Sequence, residues 1–204
     1  MRSIEVNWKK NLPKESEISK MWRDINYKIV DPNFEFIDLL KEHIGGHIYF
    51  KGFQFDENEV FDWFCSRGRL DEINFVEQFL LSDSVIQSFT TVEDGDYLFA
   101  SKTDKTPKLE WKSEFAIDGE LSALLFHGGA YGSSYKRTPK EVKKKAQEFC
   151  EQIFGEKYQN EFVRFYYISG AWNTWFIDFI IDHSWIIISM ESRTIWMLCF
   201  TDTD

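Results

Sequence analysis

The sequence lacks most of what marks a secreted, membrane-spanning or disordered chain. No stretch is long and apolar enough to predict a transmembrane helix, and the first residues, MRSIE, lack the apolar core of a signal peptide. Glycine and proline are scarce, with 11 and 4 residues in a chain of 204, which argues against long disordered segments. We therefore expect a folded protein of the cytoplasm that does not bind membranes.

Cysteine is also scarce. Cys65, Cys150 and Cys199 are far apart in the sequence, so neither a disulfide framework nor a paired metal motif is expected. Each lies among apolar neighbours, which predicts buried, reduced thiols and suits the cytoplasm.

Motifs of well-known chemistry are missing too. The chain has no phosphate-binding loop ending in Lys-Ser/Thr and no Gly-x-Ser-x-Gly nucleophile elbow. His43 and His47 are four residues apart, but Gly45 and Gly46 separate them, so the helical zinc pair is not expected. No metal, no cofactor and no identifiable catalytic residue are predicted.

Aromatic residues and acids, by contrast, are abundant. Aromatics make up 18% of the chain, with 20 Phe and 8 Trp, enough to build a large core. The net charge of -10 at pH 7 disfavours nucleic acid and anionic membranes as partners. It favours a basic protein partner, although the same charge could serve only to keep the chain soluble.

The charge is unevenly distributed along the chain. Residues 54–98 contain eleven acids and two arginines, a net charge of -9. Residues 136–145 contain six basic residues and one acid, a net charge of +5. The acidic stretch predicts a docking surface for a basic partner. The basic stretch fits either an anion contact or the solvated face of an amphipathic helix.

Hydrophobic periodicity in the first 117 residues predicts both helices and strands. Predicted helices cover 14–27, the stretch from a cap at Asp31 to Gly45-Gly46, and 71–81. Predicted strands cover 47–55, 85–92, 97–102 and 109–117. The stretch 60–65 fits either state, and Asp94-Gly95 is typical of a hairpin turn.

The remaining sequence predicts the fold class. A short helix is predicted at 120–127, and the capping box Thr138-Pro139-Lys140-Glu141 predicts a long one over 138–154. Strands at 162–168, 175–181, 185–190 and 195–200, joined by short turns, predict antiparallel neighbours. We expect an α+β fold whose antiparallel sheet contains this C-terminal β-meander, with helices packed on one face. One domain over 1–204 is expected. The possibility that residues 1–100 form a separate lobe is left open.

The stretch 126–134, FHGGAYGSS, is the most suggestive loop. Its glycines would let the backbone approach a ligand, His127 could move a proton, and Ser133 or Ser134 could act as a nucleophile. Tyr131 would join this site. The alternative is a glycine-rich helix end and turn that binds nothing.

Asp178, Asp182 and His183 form the main polar group of the predicted sheet. Strand residues four apart are separated by about 13 Å, so the two carboxylates need a third acid to form a metal or glycosidase site. The acids considered for this role are Asp118, Glu161 and Asp202. The alternative is that these acids face solvent or cap turns.

Four tryptophans lie close together in the C-terminal region: Trp172, Trp175, Trp185 and Trp196. Such a cluster is either a stacking platform, a protein-binding hot spot or core. We expect core for most of them and exposure for Trp172, which lies in a Gly-Ala-Trp-Asn turn. The candidate binding residues are therefore Asp118, His127, Tyr131, Trp172, Asp178, Asp182 and Asp202.

Four segments carry a resemblance. The stretches 126–131 and 170–176, the strand of Trp185, and 193–204, which ends in LCFTDTD, resemble the C-terminal regions of a family of uncharacterised bacterial proteins. The resemblance implies a bacterial cytoplasmic protein and carries no activity with it.

Taken together, these features predict an acidic cytoplasmic protein-binding domain. Its most concrete form is an immunity or antitoxin-like protein that acts against a basic toxin. The alternative is a small-ligand binder or hydrolase that uses the 127–134 loop and the sheet carboxylates. The oligomeric state stays open, with a homo-oligomer as a third possibility.

Overall fold

The computed structural model describes residues 4, 7, 9–93, 96–155, 163–178 and 181–202, and for 91–93, 96 and 97 it describes the backbone alone. The predicted Asp94-Gly95 turn, Glu161 and the last two residues of the tail lie outside the described residues.

Seven α-helices occur in the described ranges. Their bounds are α1 Glu15–Asp24, α2 Glu35–His43, α3 Glu59–Cys65, α4 Phe75–Leu80, α5 Asp83–Ile86, α6 Ile117–His127 and α7 Pro139–Phe154. Two 3-10 helices cover Leu70–Ile73 and Glu114–Ala116. The capping box of α7 is formed as predicted, since Thr138 N donates to Glu141 Oε2 at 2.9 Å and Glu141 N donates to Thr138 Oγ1 at 3.4 Å.

The strands form one large sheet and one hairpin. Their bounds are β1 Tyr27–Val30, β2 His47–Phe55, β3 Thr90–Glu93, β4 Asp96–Phe99, β5 Glu110–Lys112, β6 Val163–Ser169, β7 His183–Ser189 and β8 Thr194–Thr201. The six-stranded sheet is antiparallel with the order β1-β2-β8-β7-β6-β5, and β3 pairs only with β4. The predicted α+β class and the C-terminal meander, β6-β7-β8, are confirmed.

Both faces of the sheet are covered by helices. Ile186 and Ile188 point into a core that contains α1, α3, α4 and α5, whereas Trp185 and Ile187 point into a second core with α2, α6 and α7. The sequence predicted helices on one face of the sheet and a partly polar surface on the other. The partly polar surface is wrong, because helices cover that face as well. The two-sided covering explains why β7 and β8 are almost continuously apolar.

Several predicted bounds differ from the structure. The strand predicted over 109–117 is reduced to β5 Glu110–Lys112, and the 3-10 helix Glu114–Ala116 and the first residue of α6 follow it. Residues 175–178 form a loop, in which the rings of Trp175 and Phe176 pack against each other at 5.1 Å and against Phe89. Their alternation with polar residues resembled a strand, but aromatic packing determines their conformation. The stretch predicted as a strand from 85 begins as α5, and α2 starts at Glu35 instead of after Asp31.

The predicted helix over 71–81 is interrupted. Its first part is the 3-10 helix Leu70–Ile73, and Asn74 adopts a left-handed conformation with φ 49° before α4 begins. Asparagine tolerates this region better than most residues, so the break is compatible with the sequence.

The three cysteines are free and buried, as predicted. Burial raises the pKa of each thiol, that of Cys199 to about 12, so all three are neutral at physiological pH. No helix of the described ranges is both long enough and apolar enough to cross a membrane.

Candidate functional site

The glycine-rich loop packs onto the end of β8. The backbone N–H of Ala130 donates to Asp202 Oδ2 at 2.9 Å, and Gly129 pairs with Gly132 across the turn. A side chain on Gly129 would overlap the carboxylate of Asp202. These glycines therefore permit a close approach between the loop and the buried Asp202, and a ligand is not needed to explain them.

A second glycine pair reaches the same acid from the other side. Gly46 has φ 83°, and a side chain there would overlap the carbonyl oxygen of Thr201 and the Cβ of Asp202. Asp202 is buried as well as hydrogen-bonded, so this candidate binding residue fixes two loops to the sheet.

Ser134 is brought next to His43, which the sequence did not suggest. Ser134 Oγ lies 3.0 Å from His43 Nδ1, and the Ser134 backbone N–H donates to the carbonyl oxygen of His43 at 2.9 Å. Glu42 Oε2 lies 3.9 Å from the other ring nitrogen of His43. A histidine in contact with an exposed serine hydroxyl is the pair from which a nucleophile can be built.

A cavity of about 810 Å³ adjoins this loop. It is lined by Phe126, Ser133, Tyr135, Lys136, Arg137, Thr138 and Glu141. Lys136 Nζ donates to the carbonyl oxygen of Ser133 at 2.7 Å, and the Arg137 guanidinium lies over the Tyr135 ring. The cavity therefore has a cationic wall, and its lining includes none of the seven candidate binding residues.

Three of those candidates belong to α6 and the following turn. Asp118 is buried in the first turn of α6, and His127 is the exposed last residue of the same helix. Tyr131, which is 80% exposed, lies in the turn after it. The first and last turns of an eleven-residue helix are too far apart for Asp118 and His127 to act on one small ligand.

Asp178 and Asp182 have different environments. Asp178 is exposed, has φ 65° and forms an ion pair with Lys105. Asp182 is fully buried and accepts a hydrogen bond from Thr201 Oγ1 at 2.5 Å. The two carboxylates are not neighbours on one strand face, because 175–178 is a loop.

His183 pairs with Tyr167 instead of with these acids. Its Nδ1 lies 2.5 Å from the Tyr167 hydroxyl oxygen. Burial lowers the pKa of His183, and the negative charges of Asp182 and Glu120 oppose part of this effect. Burial also raises the pKa of Tyr167, so both groups are neutral at physiological pH.

All four tryptophans of the C-terminal region are buried. The expectation of core is thus confirmed for Trp175, Trp185 and Trp196, but exposure of Trp172 is wrong. Trp172 is 1% exposed, and its Nε1 donates to Ser184 Oγ at 3.0 Å. The turn directs the indole inward because a buried hydroxyl is available there as a hydrogen-bond partner.

A second cavity, of about 480 Å³, lies at the base of the β3–β4 hairpin. Its lining residues are His47, Leu98, Phe99, Ala100 and Thr174 to Ile177. Phe99 is 63% exposed, and Leu98 and Ile177 are exposed beside it. Large apolar side chains gathered around a cavity are typical of protein-binding surfaces.

The acidic segment does not form one surface. Of the eight acids of this segment whose side chains the structure describes, four form ion pairs within the molecule: Glu59 with Lys10, Asp62 with Arg193, Glu72 with Arg69 and Asp83 with Lys102. Asp56 and Glu57 follow the last residue of β2, whereas the hairpin base adjoins His47, its first residue. A strand of nine residues spans roughly 26 Å, so these two parts lie well apart.

No group of three or more His, Cys, Asp or Glu side chains in the described ranges is arranged to hold a metal ion. No protein-family model, curated protein or solved structure matches the chain.

The residues that sequence reasoning missed are exposed apolar ones and distant polar pairs. The exposure of Leu98, Phe99 and Ile177 could not be predicted from hydrophobic periodicity, because that pattern predicts burial for apolar residues. The contact between His43 and Ser134 joins residues 91 positions apart, and only the folded chain brings them together.

Proposed function

We propose that the protein is a binding domain for a basic protein partner, and that the partner docks at the base of the β3–β4 hairpin. The observation that carries this proposal is the cavity of about 480 Å³ around which Leu98, Phe99 and Ile177 are exposed. An apolar side chain of the partner fills such a cavity and provides the buried centre of the interface.

Charge complementarity supports a basic partner. The chain has a net charge of -10, its sequence has acids at positions 93, 94 and 96, and Asp178, next to Ile177, is exposed and forms an ion pair with Lys105. A protein with a large negative net charge attracts a cationic partner and speeds its association, an effect that salt weakens.

Two variants with the same change in charge test the proposal. The hairpin variant is Glu93→Gln with Asp96→Asn, and the control is Asp56→Asn with Glu57→Gln at the other end of β2. Tagged forms of both and of the wild type are incubated with bacterial lysate at low and high salt, and the retained proteins are quantified by mass spectrometry.

The proposal expects one basic protein that the wild type and the control retain and that high salt releases. Phe99→Ser should retain at least about tenfold less of it, as for a residue at the centre of an interface, and the hairpin variant, which removes two charges at the other end of the hairpin, should retain less of it at low salt. Equal retention by all forms, or no basic protein on the wild type, would contradict the proposal.

The finer version is a bacterial, cytoplasmic immunity or antitoxin-like protein. Buried free thiols and the resemblance to bacterial C-terminal regions support it. Expression of the captured partner should arrest bacterial growth, and co-expression of the wild type but not of the hairpin variant should relieve the arrest. A partner that leaves growth unchanged would rule out this version.

A second candidate function is ester hydrolysis or small-ligand binding at the glycine-rich loop. The observation that favours it is the contact between Ser134 Oγ and His43 Nδ1; Ser134 lies between Ser133 and Tyr135, which line the cavity of about 810 Å³, but neither member of the pair is in the lining. In this reaction Ser134 Oγ attacks the ester carbonyl, His43 takes its proton and returns it to the leaving alcohol, and water then hydrolyses the acyl-serine.

A fluorophosphonate probe that reacts with activated serines tests this candidate. Labelling should fall on Ser134, disappear in Ser134→Ala and decrease strongly in His43→Ala. Ser101→Ala, at an exposed serine outside the loop, serves as the control. Labelling that persists in Ser134→Ala would exclude the candidate.

A further inference from the structure

The edge strand β5 exposes two large aromatic side chains. Trp111 is 62% exposed, and Phe115, in the 3-10 helix that follows, is 65% exposed. An indole that is mostly in water has a large apolar area still to bury. Both lie in or just after the edge strand of the large sheet, whereas the β3–β4 hairpin belongs to a separate sheet.

Among the residues that the structure describes, the backbone of β5 pairs with β6 and with no other strand. In the order β1-β2-β8-β7-β6-β5 it is the last strand, and its register with β6 joins Glu110 to Tyr167, Trp111 to Tyr166 and Lys112 to Phe165. The outward N–H and C=O groups of such a strand are a template for another strand.

The three residues of β5 are complementary to themselves. Within one chain Lys112 Nζ already lies 2.9 Å from Glu110 Oε1, so a second copy would extend this pair into an alternating group of four charges. Glu110 and Lys112 point to one face of the sheet, and Trp111 points to the other. In an antiparallel pair of two β5 strands centred on Trp111, Glu110 lies opposite the partner's Lys112, and Lys112 lies opposite the partner's Glu110. Each cross-strand pair on that face then joins unlike charges, and the two indoles meet on the other face.

We infer that the occupant of this edge is a second copy of the chain, joined by antiparallel β5–β5 pairing about a two-fold axis through Trp111. Phe115, in the 3-10 helix that begins two residues after β5, adds exposed apolar surface close to this strand in the sequence. Two six-stranded sheets then form one continuous sheet across the dimer.

Parallel pairing lacks this complementarity, because it sets Glu110 opposite Glu110 and Lys112 opposite Lys112. A different acidic or basic partner could match only one of the two charges. The opposite edge, β1, has the sequence Tyr-Lys-Ile-Val and offers no such charge symmetry, although Ile29 is exposed there.

The first test is sedimentation velocity over a range of concentrations. About 0.15 M salt reduces the repulsion between two chains of net charge -10. The wild type should show a reversible dimer, and Trp111→Ser should raise its dissociation constant at least about tenfold, because Trp111 lies at the centre of the interface. Ile29→Ser, on the other edge strand, is the matched control and should dimerise like the wild type.

The second test uses charge reversal and mixing. Glu110→Lys and Lys112→Glu should each be monomeric, because every cross-strand pair in their homodimers joins like charges. An equimolar mixture of the two should dimerise again, since unlike charges face each other in the mixed pair. This recovery cannot come from a variant that failed to fold.

A wild type that sediments as a monomer throughout would overturn the inference. So would a dimer that Trp111→Ser leaves intact and Ile29→Ser abolishes, or an equimolar mixture that stays monomeric. The test is independent of the hairpin variants, so it leaves the proposed partner-binding function untouched.

Discussion

Arg193, in the turn between β7 and β8, joins the last two strands of the sheet to α3. Its side chain is 5% exposed, and its Nε and Nη2 donate to the two carboxylate oxygens of Asp62 at 2.7 and 2.8 Å. This bidentate geometry is the strongest form of an Arg–carboxylate contact. The residue itself has φ 53°, and its carbonyl oxygen accepts the N–H of Phe55, so backbone and side chain both act at this corner.

Removal of Asp62 should therefore be costly. Asp62→Ala leaves a buried guanidinium without its carboxylate and should lower the free energy of unfolding by about 3 kcal/mol, measured by urea denaturation. Glu59→Ala, which breaks the exposed ion pair with Lys10, is the control and should cost less than about 1 kcal/mol. Equal losses in the two variants would show that burial does not set the strength of the Asp62 contact.

His183 predicts a pH dependence of stability. Burial lowers its pKa in the folded state, so the unfolded chain binds the proton more readily. The contribution of His183 to the free energy of unfolding is complete above about pH 6.5, the pKa of a histidine in the unfolded chain. It is lost as the pH falls from there through the lower pKa that His183 has in the folded state. His183→Gln should reduce the drop in unfolding free energy over this window, measured by urea denaturation at several pH values; an unchanged slope would contradict this.

The pairs just described show why single contacts were hard to predict. Arg193 and Asp62 are 131 residues apart, and the sequence places Arg193 only in a turn. The acids of the candidate site were identified as polar positions, but whether an acid binds a loop, as Asp202 does, or a lysine, as Asp178 does, depends on three-dimensional neighbours.

At the scale of elements, two glycines give opposite predictions. Gly129→Ala places a methyl group against the Asp202 carboxylate and should destabilise the protein by about 1–3 kcal/mol. Gly119→Ala, inside α6 with open space around it, should stabilise it by about 0.5–1 kcal/mol. Thermal unfolding of both variants measures the difference, and a stabilising Gly129→Ala would show that the loop does not rest on Asp202.

Elements with strong local signals were predicted well. β2 has its predicted bounds, and α7 follows its capping box, because strand propensity and caps act within a few residues. The strand predicted from residue 175 was wrong for 175–178, because the packing of Trp175 and Phe176 on Phe89 is a long-range contact. The packing of helices on both faces of the sheet likewise could not be predicted from the sequence of any single element.

For the whole molecule, the seam between β2 and β8 joins the two halves of the chain. Eight residue pairs form this register, from His47 with Thr201 to Gln54 with Thr194. Gly52 fits opposite Trp196 because a side chain there would overlap the indole ring. An interface of this length should couple the stability of the two halves.

We therefore expect one cooperative unfolding transition. Near-ultraviolet and far-ultraviolet circular dichroism should give coincident urea curves, and Gly52→Val should shift both to lower urea concentration by the same amount. Two separated transitions would instead support an independent lobe of residues 1–100.

The central position of β8 also has a consequence for synthesis on the ribosome. Gln54 meets its partner Thr194 only after 140 more residues have been made. At translation rates of about 5–20 residues per second, the backbone edge of β2 that pairs with β8 stays unpaired with it for roughly 7–30 s, and the apolar side chains of β2 lack this neighbour for the same time. The nascent chain should thus be a client of ribosome-associated chaperones for most of its synthesis.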